Sequence, residues 1–190
     1  MRTVLLWAVL VSLAAVPAAA LSWQVYPSNG HLYGIVTGDA WTDAEAQAVS
    51  LGGHLVTIED AAENDWILTS VLNPSGEPYT WIGLYQLAGS EEPAGGWVWS
   101  SDELVTYTNW NPVSTGGPEP NDAGGGEDWA EMYSSSYGYG RFAGYWNDMK
   151  PNSNETPRIG IVELIPEPSS LLALACGVGG LAGLRWRRRK

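Results

Sequence analysis

The most informative stretch of this 190-residue chain reads Glu119-Pro120-Asn121-Asp122, continues through a glycine-rich spacer to Glu127-Asp128, and ends at Trp146-Asn147-Asp148. It collects carboxylates and amide carbonyls, and no histidine or cysteine lies among them. Hard oxygen donors of this kind are the ligands of Ca²⁺, which takes about six to eight oxygens in a geometry that irregular loops can supply. Because a Ca²⁺ ion with open positions also binds ligand hydroxyls, the stretch predicts a metal-dependent binding site.

The charge of the chain is distributed unevenly. Residues 21–166 hold 20 of the 21 acidic residues and only three basic ones, whereas five of the nine basic residues crowd positions 185–190. A strongly acidic surface repels nucleic acid and anionic membranes and favours divalent cations and neutral partners. The composition therefore excludes a nucleic-acid-binding function.

The length predicts one domain with a distinct segment at each end. Residues 1–20 are typical of a secretory signal peptide, with Arg2, an apolar run over 4–16 and a small-residue cleavage site at 18–20. The alternative is a hydrophobic first helix of the fold. We expect the domain to span residues 21–165. The only cysteine, Cys176, lies beyond it, so the domain has no disulfide framework.

The order of predicted elements indicates an α+β domain. Thr42-Asp-Ala-Glu45 fits a capping box that begins a helix ending at Gly52-Gly53. A second helix begins at Asp60 and ends at Asn73-Pro74. Residues 107–128, which are rich in glycine and proline, predict a long functional loop. Strands are predicted at 31–37, 80–84, 96–100 and 158–165, and the first and last of these are expected to pair.

Short motifs along residues 30–165 resemble the C-type lectin-like domain in kind and in order. They are Trp41-Thr-Asp-Ala44, Leu51-Gly-Gly-His-Leu55, Trp81-Ile-Gly-Leu84, Trp97-Val-Trp99, Tyr107-Thr-Asn-Trp110, Glu119-Pro-Asn121, Trp146-Asn-Asp148 and Ile161-Val-Glu-Leu164. The resemblance implies a double-loop α+β fold with two helices and short antiparallel sheets. It also implies a long loop that carries a Ca²⁺-dependent sugar site.

The resemblance implies a ligand set for the principal Ca²⁺. Its members are Glu119, Asn121, Glu127, Asn147 and Asp148, of which the first four would also contact the sugar. Pro120 is expected in the cis form, and the order Glu-Pro-Asn resembles members that prefer mannose-, glucose- or fucose-like sugars. Read without the resemblance, the same residues are equally typical of a solvated acidic loop that binds no metal.

Two departures from the family affect this interpretation. The usual cysteine positions are occupied by Ala48, Trp129, Pro151 and Val162, so both usual disulfides are absent and packing must replace them. A second Ca²⁺ site of the family would use Asp122 and Asp128. Its upstream acidic ligands do not align cleanly, and Glu91 and Glu92 are the candidates.

The C-terminal segment has three parts. Ile165-Pro-Glu-Pro168 precedes an uncharged, mostly apolar stretch over 169–184, and a basic cluster over 185–190 follows. Residues 166–190 resemble the bacterial Pro-Glu-Pro C-terminal sorting signal (PEP-CTERM), which implies recognition by an exosortase-type membrane peptidase. The stretch at 169–184 is slightly short for a spanning helix of about 20 residues. The basic end would stay cytoplasmic, with the domain outside. A plain tail anchor is the alternative.

Three functions remain open from the sequence. The first is an exported Ca²⁺-dependent protein that binds neutral glycans, acting on cell-surface or extracellular polysaccharide. The second is a protein-binding or matrix-structural member of the same fold, because a fold does not fix a function. The third is a glycosidase with Glu119 and Glu127 as paired carboxylates; metal would occupy both groups, so we expect no enzyme activity.

Overall fold

The computed structural model describes residues 22–114, 116–134, 141–151 and 159–166. The predicted signal peptide and the predicted membrane segment at 169–184 lie outside these ranges. The strands are β1 (Gln24–Val25), β2 (Leu32–Thr37), β3 (His54–Leu55), β4 (Tyr79–Gln86), β5 (Trp97–Trp99), β6 (Trp129–Tyr133), β7 (Trp146–Met149) and β8 (Ile159–Leu164). The helices are α1 (Trp41–Ser50) and α2 (Ala61–Ile67), and α2 continues through a π-helical turn (Leu68–Leu72) into α3 (Asn73–Ser75).

The described strands join in one mixed sheet with the order β1-β2-β8-β4-β6-β7, while β3 pairs with β8 and β5 with β4. The predicted pairing of the terminal strands is confirmed, because β2 and β8 run antiparallel from Leu32–Leu164 to Thr37–Ile159. A single parallel contact, between Trp81 and Gly160, connects β4 to β8. The sheet places β6 and β7 at the edge farthest from the described chain ends.

The predicted capping box at the start of α1 is wrong. The helix begins at Trp41 after Ala40, which makes no side-chain cap. The Glu45 carboxylate instead accepts from the Leu55 amide at 2.8 Å and lies 2.7 Å from His54 Nδ1. Glu45 is partly buried between α1 and β3, and there it satisfies a strand amide that lies outside the helix. Tertiary contacts therefore override the local signal of the motif.

The second helix begins as predicted and ends later than predicted. Asp60 caps it, since its Oδ1 accepts from the Glu63 amide at 2.8 Å. The helical path continues past Asn73-Pro74 to Ser75, and Gly76 ends it with φ of +77°. Pro74 lies at the start of α3 and does not end the helical path.

The core lies between the sheet and the helices and contains Trp81, Trp99 and Trp146, each at most 1% exposed. Ala48 and Val162, at two of the expected cysteine positions, are fully buried and pack in one hydrophobic cluster. Apolar side chains that pack together therefore occupy both of these expected cysteine positions. Within the described ranges, no helix combines the length and apolar character needed to cross a membrane.

Candidate functional site

The long loop between β5 and β6 is fixed to strand β7 by backbone hydrogen bonds. The Asn111 amide donates to the Trp146 carbonyl at 2.9 Å, and the Glu119 amide donates to the Asn111 carbonyl at 2.8 Å. Trp146 is fully buried. Asn147 follows Trp146 on the same strand. The loop and the end of β7 thus form one surface.

The Asp148 carboxylate of β7 accepts hydrogen bonds from the backbone at the end of the Glu-Pro-Asn motif. The Glu119–Pro120 peptide bond is cis, the isomer that the family resemblance implies. Beyond it, the Asn121 amide donates to Asp148 Oδ1 and Oδ2 at 3.1 and 3.0 Å. The Asp122 amide donates to Asp148 Oδ2 at 2.7 Å. These bonds fix the backbone of the motif relative to a buried strand carboxylate.

The glycine-rich turn after the motif returns Glu127 to the same region. Asp122 Oδ1 accepts from the Glu127 amide at 3.1 Å, and Glu127 Oε2 accepts from the Ala123 amide at 2.7 Å. Lys150 holds the tip of the turn, since its Nζ donates to the Gly124 carbonyl at 3.1 Å. Gly124 has φ of +77°, a backbone conformation that favours glycine.

Two buried oxygens of the motif have no hydrogen-bond partner among the described residues: Glu119 Oε2 and Asn121 Oδ1. A buried polar atom without a partner costs free energy, so each such case needs an explanation. The side-chain amide of Asn147 also uses its nitrogen for contacts within the protein. Its Nδ2 donates to Glu131 Oε1 at 3.1 Å and to the Asp148 carbonyl at 2.7 Å. Its Oδ1 is thereby left as the available acceptor.

The electrostatics of the site disfavour the ionised forms of Glu119 and Glu127, because the pKa of each is raised. The pKa of Glu119 is raised to about 8, first by burial and then by the neighbouring Asp148 and Glu127, against a lowering by hydrogen bonding with Ser114. Burial also raises the pKa of Glu127; the Ala123 amide and Lys150 lower it, and Asp148 and Asp122 raise it. The chemistry of this donor set fits a hard divalent cation.

The contacts bring together most of the predicted ligands. Glu119, Asn121, Glu127 and Asp148 share electrostatic or hydrogen-bond contacts, and Asn147 precedes Asp148 on β7. Asp122 belongs to the same loop. Across the described ranges, however, no group of three or more acidic, histidine or cysteine side chains stands in a metal-binding arrangement. The three carboxylates of the principal set, Glu119, Glu127 and Asp148, therefore do not form such a group in this part of the chain.

The second predicted set, Asp122 with Asp128, is connected differently. Asp122 closes the glycine-rich turn, whereas the Asp128 carbonyl accepts from the Gln86 amide of β4 at 2.8 Å. Glu91 and Glu92 are exposed on the turn between β4 and β5. Asp122 is thus hydrogen-bonded to Glu127. The second Ca²⁺ site, with Asp122 and Asp128 as ligands, stays a prediction.

Sequence reasoning missed three residues that contact the site. Ser114 contacts the amide of Asn121, Glu131 contacts the amide of Asn147, and Lys150 holds the glycine-rich turn. No sequence signal distinguishes Ser114, which lies in a run of small polar residues. Lys150 offers a weak signal, because it is one of only three basic residues in the acidic region.

The mixed sheet, its two helical segments and the long loop over β7 define a lectin-like binding domain. The chain belongs to the Lectin C-type domain family, whose model matches residues 37–156. A second family model, the PEP-CTERM protein-sorting motif, matches residues 164–190 and supports export and C-terminal membrane anchoring. The sequence interpretation of both segments is confirmed. Proteins of this domain family are binding proteins, so the glycosidase hypothesis is rejected.

Related sequences come from several animals. A perlucin-like protein of Mytilus galloprovincialis is 29% identical over 136 residues, which are 70% of this chain and 76% of that protein. Regenerating islet-derived protein 3-beta of Mus musculus is 35% identical over 109 residues, which are 52% of this chain and 60% of that protein.

Solved structures agree on the fold and differ in what they bind. The cow C-type carbohydrate-recognition domain of CD23, solved in the presence of a GlcNAc2Man3 oligosaccharide, matches with a TM-score of 0.57 and 25% identity, over 76% of this chain and 94% of that one. A calcium-independent type II antifreeze protein matches with a TM-score of 0.55 and 23% identity, over 76% and 95%. The second likeness shows the fold alone.

Proposed function

We propose that this exported protein binds neutral glycans through one Ca²⁺ ion held by Glu119, Asn121, Glu127, Asn147 and Asp148. The observation that carries the proposal is the pair of buried oxygens, Glu119 Oε2 and Asn121 Oδ1, that lack a partner among the described residues. Both are hard donors, and they come from the two residues that flank cis-Pro120. A cation would satisfy both atoms and relieve the repulsion among the neighbouring carboxylates.

The sugar preference follows from the division of donors and acceptors. A carboxylate such as Glu119 accepts a hydrogen bond from a sugar hydroxyl, and an amide with a free hydrogen, such as Asn121, donates one. Two neighbouring hydroxyls that also coordinate Ca²⁺ can make these hydrogen bonds only in certain orientations. The site therefore selects sugars by the arrangement of these hydroxyls. The order Glu119-Pro120-Asn121 supports a mannose- or glucose-type preference through the family resemblance. Each such bond contributes about 0.5–1.5 kcal/mol, so single sugars bind weakly and tight binding needs multivalency.

The cellular part of the proposal concerns the chain ends. Residues 1–20 act as the signal peptide, residues 21–165 as the domain, and residues 166–190 as the sorting segment that an exosortase-type peptidase recognises. The stretch at 169–184 holds the chain in the inner membrane before processing. This arrangement presents the glycan site outside the membrane, where cell-surface or extracellular polysaccharide is the ligand. The acidic surface favours a neutral polymer over an anionic one.

Thermal melting and affinity retention test the proposal together. We expect Ca²⁺, and not Mg²⁺ at equal concentration, to raise the melting temperature, and EDTA to release the protein from a mannose-type resin. Asp148→Asn removes the carboxylate that fixes the motif and should abolish both effects. Asp43→Asn, on the exposed first turn of α1, is the matched control and should retain them. Absence of any Ca²⁺ effect on the wild type contradicts the proposal.

A protein-binding or matrix-structural role is the second candidate. It is favoured by the lack, within the described ranges, of three clustered acidic, histidine or cysteine ligands. The same fold also hosts a protein whose structure is described as calcium-independent. In that case a glycan array stays blank with and without Ca²⁺. Recovery of a specific protein on the immobilised domain would then favour this role.

A further inference from the structure

The loop before the Glu-Pro-Asn motif folds back around the side chain of Asn121. The Ser114 amide and hydroxyl both donate to the Gly117 carbonyl, at 3.2 and 2.8 Å. Ser114 Oγ also lies 3.3 Å from Asn121 Nδ2. Gly116 completes the contact, because a Cβ at this residue would lie only 3.1 Å from the same nitrogen. Ser114 and Gly116 thus pack against the Asn121 amide, and Nδ2 is the end nearer to both.

The hydrogen count of the Ser114 hydroxyl determines which end of the amide it meets. A hydroxyl has one hydrogen and two lone pairs. Its hydrogen is donated to the Gly117 carbonyl at 2.8 Å, and its oxygen accepts from the Gly116 amide at 3.3 Å. A second lone pair of the oxygen then faces Asn121. The Asn121 group in contact is the donor Nδ2, which donates to Ser114 Oγ at 3.3 Å.

This assignment leaves Asn121 Oδ1 on the opposite side of the amide. There it is buried and has no hydrogen-bond partner among the described residues. An amide that rotated by half a turn would place its oxygen against the oxygen lone pairs of Ser114, which is unfavourable. It would also replace the unpartnered oxygen, a candidate cation ligand, by an NH2 group, which cannot bind a cation.

We infer that Ser114 is a positioning residue that orients the Asn121 amide so that Oδ1 faces the proposed Ca²⁺. The inference rests on the proposed function and adds to it a residue outside the ligand set. Groups that orient metal ligands through hydrogen bonds typically change metal affinity by about 10- to 100-fold when they are removed. Ser114 contacts the nitrogen of one uncharged amide ligand. We therefore expect its removal to weaken metal binding by about 10-fold, the lower limit of that range.

The test compares Ser114→Ala with Ser114→Thr, which retains the hydroxyl. We expect Ser114→Ala to weaken Ca²⁺ binding about 10-fold in isothermal titration calorimetry, and Ser114→Thr to bind with nearly wild-type affinity. Ser50→Ala is the control, since its exposed hydroxyl also donates to a backbone carbonyl, that of Gln47 at 2.7 Å, on α1. It should leave the affinity unchanged. Far-UV circular dichroism in EDTA verifies that each variant is folded.

A second measurement works without metal. In EDTA, the side-chain amide hydrogens of Asn121 should exchange with solvent about 2- to 10-fold faster in Ser114→Ala than in the wild type, as expected for one lost hydrogen bond. Ser114→Thr should restore slow exchange. If Ser114 only stabilised the loop, Ser114→Ala would lower the melting temperature. The exchange rate of the Asn121 side-chain amide, relative to those of other asparagines, would then stay unchanged.

The outcomes separate this inference from the proposed function. Equal Ca²⁺ affinity in the wild type and Ser114→Ala, or equal Asn121 exchange in both, overturns the role of Ser114 while Ca²⁺ binding stands. No Ca²⁺ binding by the wild type overturns the proposed function, and with it the role of Ser114 toward the metal. A tenfold loss that Ser114→Thr does not restore also contradicts the inference, because the hydroxyl would then not be the cause.

Discussion

Replacement of Glu119 by glutamine should have opposite effects on the metal-free and the Ca²⁺-bound protein. Burial, together with the neighbouring Asp148 and Glu127, raises the pKa of Glu119 from 4.5 to about 8. An acid whose pKa is higher in the folded state stabilises the fold below about pH 4.5 and loses that contribution as the pH rises through about 8. Glutamine carries no charge at any pH, so Glu119→Gln avoids this loss.

The size of the effect follows from the pKa and the burial. At about 1.36 kcal/mol per pH unit, the full difference between 4.5 and about 8 amounts to about 5 kcal/mol as an upper limit. Glu119 is 8% exposed, so some water reaches it and screens the repulsion. We therefore expect metal-free Glu119→Gln to be more stable than the wild type by on the order of 2 kcal/mol above pH 8, and equal to it near pH 4.

In Ca²⁺ the order reverses. An ion present at 100 times its dissociation constant stabilises the folded wild type by about 2.7 kcal/mol. For a domain of this size, that corresponds to a rise of about 5–10 °C in melting temperature. Glutamine offers one neutral oxygen in place of a charged carboxylate, so Glu119→Gln should show a much smaller rise at the same Ca²⁺ concentration.

Differential scanning calorimetry of both proteins, in EDTA and in Ca²⁺ at about pH 4 and about pH 9, measures all of these quantities. Glu77→Gln, on the connection after α3, is the control and should change little under every condition. The reasoning is refuted if metal-free Glu119→Gln is less stable than the wild type at high pH. It is also refuted if Ca²⁺ raises both melting temperatures equally.

Two further substitutions test other buried contacts. Tyr33→Phe removes the hydroxyl that lies 2.6 Å from Glu63 Oε1 and 2.9 Å from Glu163 Oε1. Burial is the largest cause of the raised pKa of both carboxyls, and the Tyr33 hydroxyl lowers both pKa values. Its loss should lower the free energy of unfolding, measured in urea titrations, by about 1–3 kcal/mol. The decrease should be larger at pH 8 than at pH 4, because the hydroxyl stabilises the ionised carboxylates. Glu131→Leu removes an acceptor of Asn147 Nδ2, 3.1 Å away, and should weaken Ca²⁺ binding about 10-fold in calorimetry; an unchanged affinity would show that Asn147 does not depend on this contact.

Much of the fold was predictable because its signals are local or carried by ordered motifs. The strand at 32–37, the helix capped by Asp60 and the irregular loop at 107–128 all follow from short patterns of apolar, capping and glycine residues. The pairing of the two terminal strands also followed, because both read as strong strands. The capping box at Thr42–Glu45 failed for the opposite reason: the carboxylate of Glu45 found a better partner in a strand nine and ten residues away.

The candidate site was predictable in its members and not in its arrangement. Glu119, Asn121 and Asp148 are conspicuous as hard oxygen donors, and the family resemblance places them in one set. Ser114, Glu131 and Lys150 contact that set only through the fold, because each is defined by what it touches and not by its chemical type.

The amino-acid sequence alone determined the class of chemistry and the destination of this protein: oxygen donors without sulfur or imidazole, an acidic domain without disulfides, and a sorting motif at residues 164–190. These properties depend on composition and short-range order, which a linear chain already contains. Only the tertiary structure decided that Asp148 would bind the backbone amides of the loop and that the Asn121 amide would turn its oxygen away from Ser114. Which groups donate and which accept depends on how the side chains are placed relative to each other. That placement is set only when the fold brings both partners together.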